Sequence, residues 1–266
     1  MAYQNIAVAK DHRIATITLN RPEKVNAINR EMSRELTQAI EEMVSDDDIG
    51  VVIFTGAGRG FCSGADISMQ AARLSGELKR ASRREVTSPL GGWEFFIPLA
   101  KMDKLAIAAV NGIAYGVGLS LALACDIRVA SEKARFSSGY VKMGLTPGGG
   151  HSFLLPRIVG ISKAIELMCT GDIIDAGEAE KIGLVAKVVP AGELMNSVHS
   201  MAKKIADSPF VAVELIKRLT YMGLENNLER QIYLESYAQR ICHGTEDHKE
   251  AVKAFFDKRP PLFRGR

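Results

Sequence analysis

The stretch Asn111–Ala130, NGIAYGVGLSLALACDIRVA, carries the plainest chemical signal in the chain. It reads as an apolar strand, a turn at Gly116-Val117-Gly118 and a buried helix. Such a turn presents backbone N–H groups at a helix N-terminus, where the helix dipole favours negative charge. That arrangement could bind a phosphate or stabilise an oxyanion, and the residues alone leave both open. A second glycine-rich loop, Gly56–Gly64 (GAGRGFCSG), brings backbone close to something it holds. Cys62 sits inside it, and a thiol there reacts only if its pKa is lowered, which no neighbour suggests. Pro147-Gly148-Gly149-Gly150 breaks the chain just before His151, whose ordinary pKa of about 6.5 suits proton transfer.

The elements that would position these residues follow from periodicity. Ile6–Val8 and Arg13–Leu19 read as a hairpin, and Asn29 as the cap of a helix with Met32, Leu36, Ile40 and Met43 on one face. Val51–Thr55, Leu105–Val110 and Ile127–Ala130 read as buried strands. A polar helical stretch is expected to run up to Arg84, and Trp93–Ala100 is amphipathic and aromatic-rich. From Gly192 the pattern is wholly helical, with Leu194–Ala206, Pro209–Gly223, Leu228–Cys242 and Asp247–Phe256. Strand–strand–helix units followed by helices predict an α/β fold, with residues 1–191 as core and 192–266 as a helical C-terminal region.

Composition narrows the class. The 266 residues are 47% hydrophobic and 24% charged, ordinary for a globular chain with a sizeable core. A net charge of +3 gives no footprint for nucleic acid. The local basic clusters, Lys79-Arg80 with Arg83-Arg84 and the tail from Lys258 to Arg266, read as solvated faces unless a phosphate-bearing ligand meets them. Four scattered cysteines, no signal-peptide pattern and no membrane-length apolar run lead to the expectation of a cytoplasmic protein without metal or membrane partner. The Gly-Val-Gly turn is too short for a dinucleotide fingerprint.

Several segments together resemble the crotonase (enoyl-CoA hydratase/isomerase) superfamily: LNRPEKVNAIN at Leu19–Asn29, GRGFCSGADIS at Gly58–Ser68, Ala108–Ser131, Ala134–Gly160, Gly177–Val189 and Glu250–Phe263. The likeness spans nearly the whole chain in order and spacing. It implies a spiral of ββα units, a C-terminal helical trimerisation region, a homo-oligomer that is a trimer or a dimer of trimers, and acyl-CoA thioester substrates. Coenzyme A would be part of the substrate, with no separate cofactor. The same resemblance assigns an oxyanion hole to the backbone N–H groups of Ala65 and Val117, which would pull charge onto the thioester carbonyl and stabilise an enolate. It assigns CoA contacts to Lys24, Val25, Ala27, Ala65, Asp66, Ile67 and Ser68, and to Phe255 and Lys258 of the tail. Trp93 and Phe96 would line the acyl pocket.

The departures from the family pattern bear on the reaction. Hydratases of this family place one glutamate two residues after the glycine turn and another in an F-x-x-P-E segment. The corresponding residues here are Ser120 and Tyr140. The isomerase branch, including phenylacetate ring-epoxide isomerases, instead carries one acid in a P-D/E-G-G segment, and here that residue is Gly148. The remaining candidates for proton transfer are Tyr140, Ser120, His151 and Glu94. Tyr140 is read equally as an acid and as a filler of a glutamate's space. Ser120 is expected to be a small buried residue at a helix start, being a weak base without a partner. The His151 side chain is expected to face away from Gly148. Glu94 would act as base if apolar neighbours enclosed it. Two functions follow: an acyl-CoA enzyme in which isomerisation is favoured over hydration, serving fatty or aromatic acid metabolism, and a non-catalytic acyl-CoA binding or carrier protein on the same fold.

Overall fold

Strands β1 (Ile6–Asp11) and β2 (Ile14–Leu19) pair antiparallel in the hairpin the alternation predicts, with His12 in the left-handed region at the turn. The computed structural model describes residues 3–68, 71, 75–76 and 92–265, so the basic cluster at Lys79–Arg84 and its expected helix lie outside the described residues. Helix α1 (Arg30–Ser45) follows, capped by Asn29, whose side chain accepts from the Met32 N–H. Its buried face is Met32, Leu36, Ile40 and Met43, as the spacing requires. Strand β3 (Val51–Gly56) is buried throughout. Helix α2 (Phe96–Lys101) begins three residues later than the aromatic run, leaving Trp93 ahead of it.

From there two strand–strand–helix units repeat. The first is β4 (Leu105–Val110), β5 (Ile113–Tyr115) and α3 (Val117–Ala124). The second is β6 (Ile127–Ser131), β7 (Arg135–Ser137), a 3-10 turn at Tyr140–Met143, and α4 (His151–Val159) running into α5 (Ile161–Thr170). β8 (Ile174–Asp175), α6 (Ala176–Lys181) and β9 (Lys187–Val189) close the core. In each unit the first strand joins a six-stranded sheet, ordered β1-β2-β3-β4-β6-β9. The second strand joins a three-stranded sheet, ordered β5-β7-β8. The chain thus alternates between two sheets, which makes it a spiral. Its ββα architecture is the one the family resemblance implies.

Both faces of the large sheet are covered, so its parallel strands are apolar on both sides. Val52 and Phe54 of β3 belong to one core cluster with α1, while Val51 and Ile53 pack with Leu194, Val198 and Ala202. Those three belong to α7 (Leu194–Ala206), so the first helix beyond position 192 roofs the sheet. Helices α8 (Phe210–Gly223), α9 (Leu228–His243) and α10 (Glu246–Phe256) follow, with few buried residues on α9 and α10. Among the described residues no helix is long and apolar enough to cross a membrane, and no cluster of His, Cys, Asp or Glu could hold a metal ion. All four cysteines are free.

Candidate active site

The glycine turn is shaped by crowding. Gly116 adopts φ 52°, ψ −118°, and its N–H donates to the Ser137 carbonyl at 2.9 Å, tying the turn to the end of β7. A Cβ on Gly118 would lie 2.4 Å from the Cys62 carbonyl oxygen, so only glycine lets α3 start against the second glycine loop. The two loops are stitched together: the Tyr115 N–H donates to the Cys62 carbonyl at 3.0 Å, and the Cys62 N–H to the Ile113 carbonyl at 2.8 Å. Ala65 bridges to Ile28, but that bridge uses the Gly64 carbonyl and the Asp66 N–H. Among the described residues the Ala65 and Val117 N–H groups have no hydrogen-bond partner within the chain. Val117 is the first residue of α3, where a free N–H is inherent to the helix. Burial pushes the Cys62 thiol up to about 12, so it stays protonated beside this turn.

Behind the turn lies a polar network that the sequence did not disclose. Ser120, fully buried on the first turns of α3, places Oγ 2.8 Å from the Tyr140 hydroxyl and 2.9 Å from His151 Nδ1. The Gly148 carbonyl stands 3.0 Å from the same Oγ and 3.3 Å from the Tyr140 hydroxyl. His151 is also fully buried, and its Nε2 meets Ser138 Oγ at 2.9 Å. The expectation that His151 faces away is therefore corrected. Gly149 and Gly150 are both left-handed (φ 66° and 78°) and swing the chain so that the first residue of α4 points inward. Gly149 can have no Cβ, because one would lie 2.4 Å from the Phe96 ring.

The protonation of this network follows from its surroundings. Burial lowers His151 to about 4, so the imidazole is neutral and carries one ring proton. Burial also raises the Tyr140 phenol, outweighing its hydrogen bonds to Ser120 and Gly148, so Tyr140 stays protonated. With Nδ1–H present, His151 donates to Ser120 and Ser138 donates to Nε2. With Nε2–H present, Ser120 donates to Nδ1 and Nε2–H donates to Ser138. Ser120 can thus hand a proton to or from the ring while Ser138 accommodates either tautomer. Ser120 Oγ is enclosed by Tyr140, His151 and the Gly148 and Gly116 carbonyls and is fully buried, so it has no surface at which a water could sit. Ser138, two residues before Tyr140, went unnoticed in the sequence; only the fold shows its partner.

Tyr140 and Gly148 are half-buried, whereas Ser120, Ser138 and His151 are buried. A cavity of about 650 Å³ adjoins the network at Gly148, the one network residue in its lining, which also includes Gly149, Gly150, Trp93, Phe96 and Phe153 together with Lys217, Tyr221 and Leu224 of the α8 end. Trp93 and Phe96 both line this cavity. Glu94, in contrast, is exposed and lacks the apolar enclosure expected of a base.

Two segments assigned to coenzyme A meet each other. The Ser63 N–H and hydroxyl donate to the Val25 and Lys24 carbonyls at 2.9 and 3.0 Å, and Arg21 pairs with Asp66 at 2.9 Å while reaching the Ala27 carbonyl at 2.6 Å. Burial works to raise the Asp66 carboxyl, but hydrogen bonds from Ser68 and Arg21 outweigh it and hold the group below its ordinary value. Val25 and Asn26 are left-handed (φ 49° and 57°), and a β-branched residue in that region is strained. The strain is held by Asn26, which is buried and whose amide donates to the Ala57 and Gly60 carbonyls at 2.9 and 2.8 Å. Lys24, Ile67 and Ser68 are exposed beside this junction. Phe255 and Lys258 take no part in these contacts and sit exposed at the end of α10.

Comparison with known proteins bears on the same residues. The family model described as "Enoyl-CoA hydratase/isomerase" matches residues 9–266. A short-chain-enoyl-CoA hydratase of Clostridium acetobutylicum is 40% identical, with 97% of each chain covered. A 1,2-epoxyphenylacetyl-CoA isomerase of Escherichia coli is 35% identical, with 95% of each covered. Among solved structures, an enoyl-CoA hydratase from Bacillus anthracis superposes with a TM-score of 0.91 at 33% identity, covering 99% of this chain and 100% of that one. With crotonase-fold neighbours of this likeness and a family model matched over nearly its whole length, the chain belongs to the enoyl-CoA hydratase/isomerase family.

Proposed function

We propose that this protein is an acyl-CoA enzyme that forms a thioester enolate and moves a proton along the acyl chain, isomerising rather than hydrating its substrate. The Ala65 and Val117 N–H groups hold the thioester oxygen; each well-placed donor of this kind contributes about 2.7–4 kcal/mol. The observation that carries the reading is Ser120 lying within hydrogen-bond distance of both the Tyr140 hydroxyl and His151 Nδ1. The Tyr140 oxygen takes the α-proton as its own hydrogen passes to Ser120 and the Ser120 hydrogen passes to Nδ1. The imidazolium so formed keeps its Nε2–H on Ser138, and the enolate charge rests on the oxyanion hole. Because burial disfavours the imidazolium, the proton returns readily, and Tyr140 delivers it to the γ-carbon. Hydration would need a water held beside the double bond. The two carboxylates that hold it elsewhere in the family are Ser120 and Tyr140 here, and Ser120 is fully buried behind Tyr140's hydroxyl.

Gly148 offers a test. Its Cβ would meet nothing within 4 Å, and Gly148 lines the cavity. Gly148→Asp is therefore expected to fold, to bind enoyl-CoA esters and to raise conversion of 3-enoyl-CoA to 2-enoyl-CoA. A folded, ester-binding variant with no gain over wild type would contradict the placing of Gly148 beside the migrating proton. An acyl-CoA carrier without turnover is the alternative; it predicts ester binding with no exchange of the α-proton in either protein. The exposed apolar residues of α9 and α10 support assembly with further copies of the chain, as a trimer or a dimer of trimers.

A further inference from the structure

The cavity beside Gly148 is much larger than a four-carbon acyl group requires, and its walls are not uniform. Pockets of this size enclose ligands of many heavy atoms. Near Gly148 the walls are aromatic: Trp93, Phe96 and Phe153. Another part of the lining is polar. Lys217 Nζ lies 2.8 Å from Asp126 Oδ2 and 2.8 Å from the Lys104 carbonyl, with Lys217 and Asp126 only 8% and 11% exposed. The Tyr221 hydroxyl donates to Asp126 Oδ1 at 2.9 Å. Asp126, Lys217 and Tyr221 all line the cavity.

The remaining hydrogen-bonding capacity of this trio has a definite character. An ammonium has three N–H donors, and among the described residues two acceptors take two of those of Lys217. Tyr221 has spent its hydrogen on Asp126 but keeps a lone pair. One donor and one acceptor are therefore left on a wall where lysine and aspartate cancel each other's charge. Lys217 and Asp126 are already paired with each other, so a charged group seated against this trio would gain no net counter-charge and would lose solvation; the exposed Arg157 and Glu225, which also line the cavity, take no part in the trio. A hydroxyl can accept from Lys217 and donate to Tyr221 at once. Resting on the acyl-CoA reading above, we infer that the substrate's acyl group has a ring-bearing apolar body and a neutral hydroxyl on its far side, held by Lys217 and Tyr221.

The test is calorimetric titration with crotonyl-CoA, cinnamoyl-CoA and the three ring-hydroxylated cinnamoyl-CoA isomers. Cinnamoyl-CoA is expected to bind more tightly than crotonyl-CoA. At least one hydroxylated isomer should bind about tenfold more tightly than cinnamoyl-CoA, the gain of one hydrogen-bond pair made to the largely buried Lys217 ammonium and the 44% exposed Tyr221. In Tyr221→Phe that advantage, taken as the ratio of the two affinities within the variant, should shrink to within about twofold. The inference is overturned if no hydroxylated isomer gains over cinnamoyl-CoA, if the gain survives Tyr221→Phe, or if crotonyl-CoA binds as tightly as cinnamoyl-CoA. The wild-type comparison decides even if the variant fails to fold. If no ester binds at all, the acyl-CoA reading falls and takes this one with it; crotonyl-CoA binding alone overturns only the hydroxyl site.

Discussion

At the scale of single residues, the chemistry rests on groups that are weak alone and useful only in combination. A serine is a poor base, a phenol keeps its proton at neutral pH, and a buried imidazole held near 4 is hard to charge. In the proposed relay their short contacts carry a proton across three groups, and the charge placed in the core is a transient imidazolium. His151 also makes a stability prediction. Its pKa is depressed on folding, so the unfolded chain binds more protons between pH 4 and 6.5. Its contribution is thus complete above about pH 6.5 and lost as pH falls towards 4, by roughly 3 kcal/mol. Urea unfolding at pH 7 and pH 4.5 should show wild type losing more stability than His151→Gln over that interval; equal losses would contradict the burial of a neutral ring. None of this could be read from the sequence, where Ser120, Ser138, Tyr140 and His151 stand up to 31 positions apart. Residue types named the candidates, and only the fold gave them partners.

At the scale of elements, the site depends on turns that let backbone pass close to backbone. α3 starts against the Cys62 loop because Gly118 has no side chain, and α4 starts inward because Gly149 and Gly150 are left-handed. Gly118→Ala should cost about 1–3 kcal/mol through overpacking and should weaken α-proton exchange more than ester binding, since the Val117 N–H shifts with the helix start. Thermal unfolding and exchange rates measured on the same preparation check this; an unchanged melting temperature would contradict the crowding. These elements were the most legible part of the sequence. Alternating IATITL gave β2, Asn29 gave the cap of α1, and Leu194–Ala206 matched α7 residue for residue. The glycine clusters marked where the chain turns, but glycine spacing does not say which way a turn sends the next side chain. That is why His151 was expected to point elsewhere.

At the scale of the whole molecule, the fold brings segments 39 positions apart to one place. Lys24–Ala27 precede the first helix and Ser63–Ser68 follow the third strand, yet hydrogen bonds join them beside the free Ala65 N–H. The C-terminal helices contribute in two ways. α8 supplies Lys217 and Tyr221 to the cavity wall, whereas α9 and α10 expose Ile232, Tyr233, Phe255 and Phe256. Such a surface fits contact with another copy of the chain. Ile232→Glu is accordingly expected to shift the protein towards smaller species in sedimentation velocity, and an unchanged distribution would show that α9 does not form that contact. Composition and helical periodicity foretold the helices but not their division of labour, because which helix roofs a sheet depends on long-range packing. Asp126 and Lys217 pair across 91 positions, and periodicity is blind to that distance.

The central claim, that Tyr140 moves the α-proton with Ser120 and His151 behind it, is tested most directly by solvent deuterium exchange. An enoyl-CoA ester shown to bind is incubated in deuterated buffer, and label at its α-carbon is followed for wild type and Tyr140→Phe. Exchange in wild type that falls about 10²–10³-fold in the variant, with ester affinity unchanged, is the predicted result. Exchange that proceeds equally fast in Tyr140→Phe, or no exchange in wild type with the ester bound, would contradict the account.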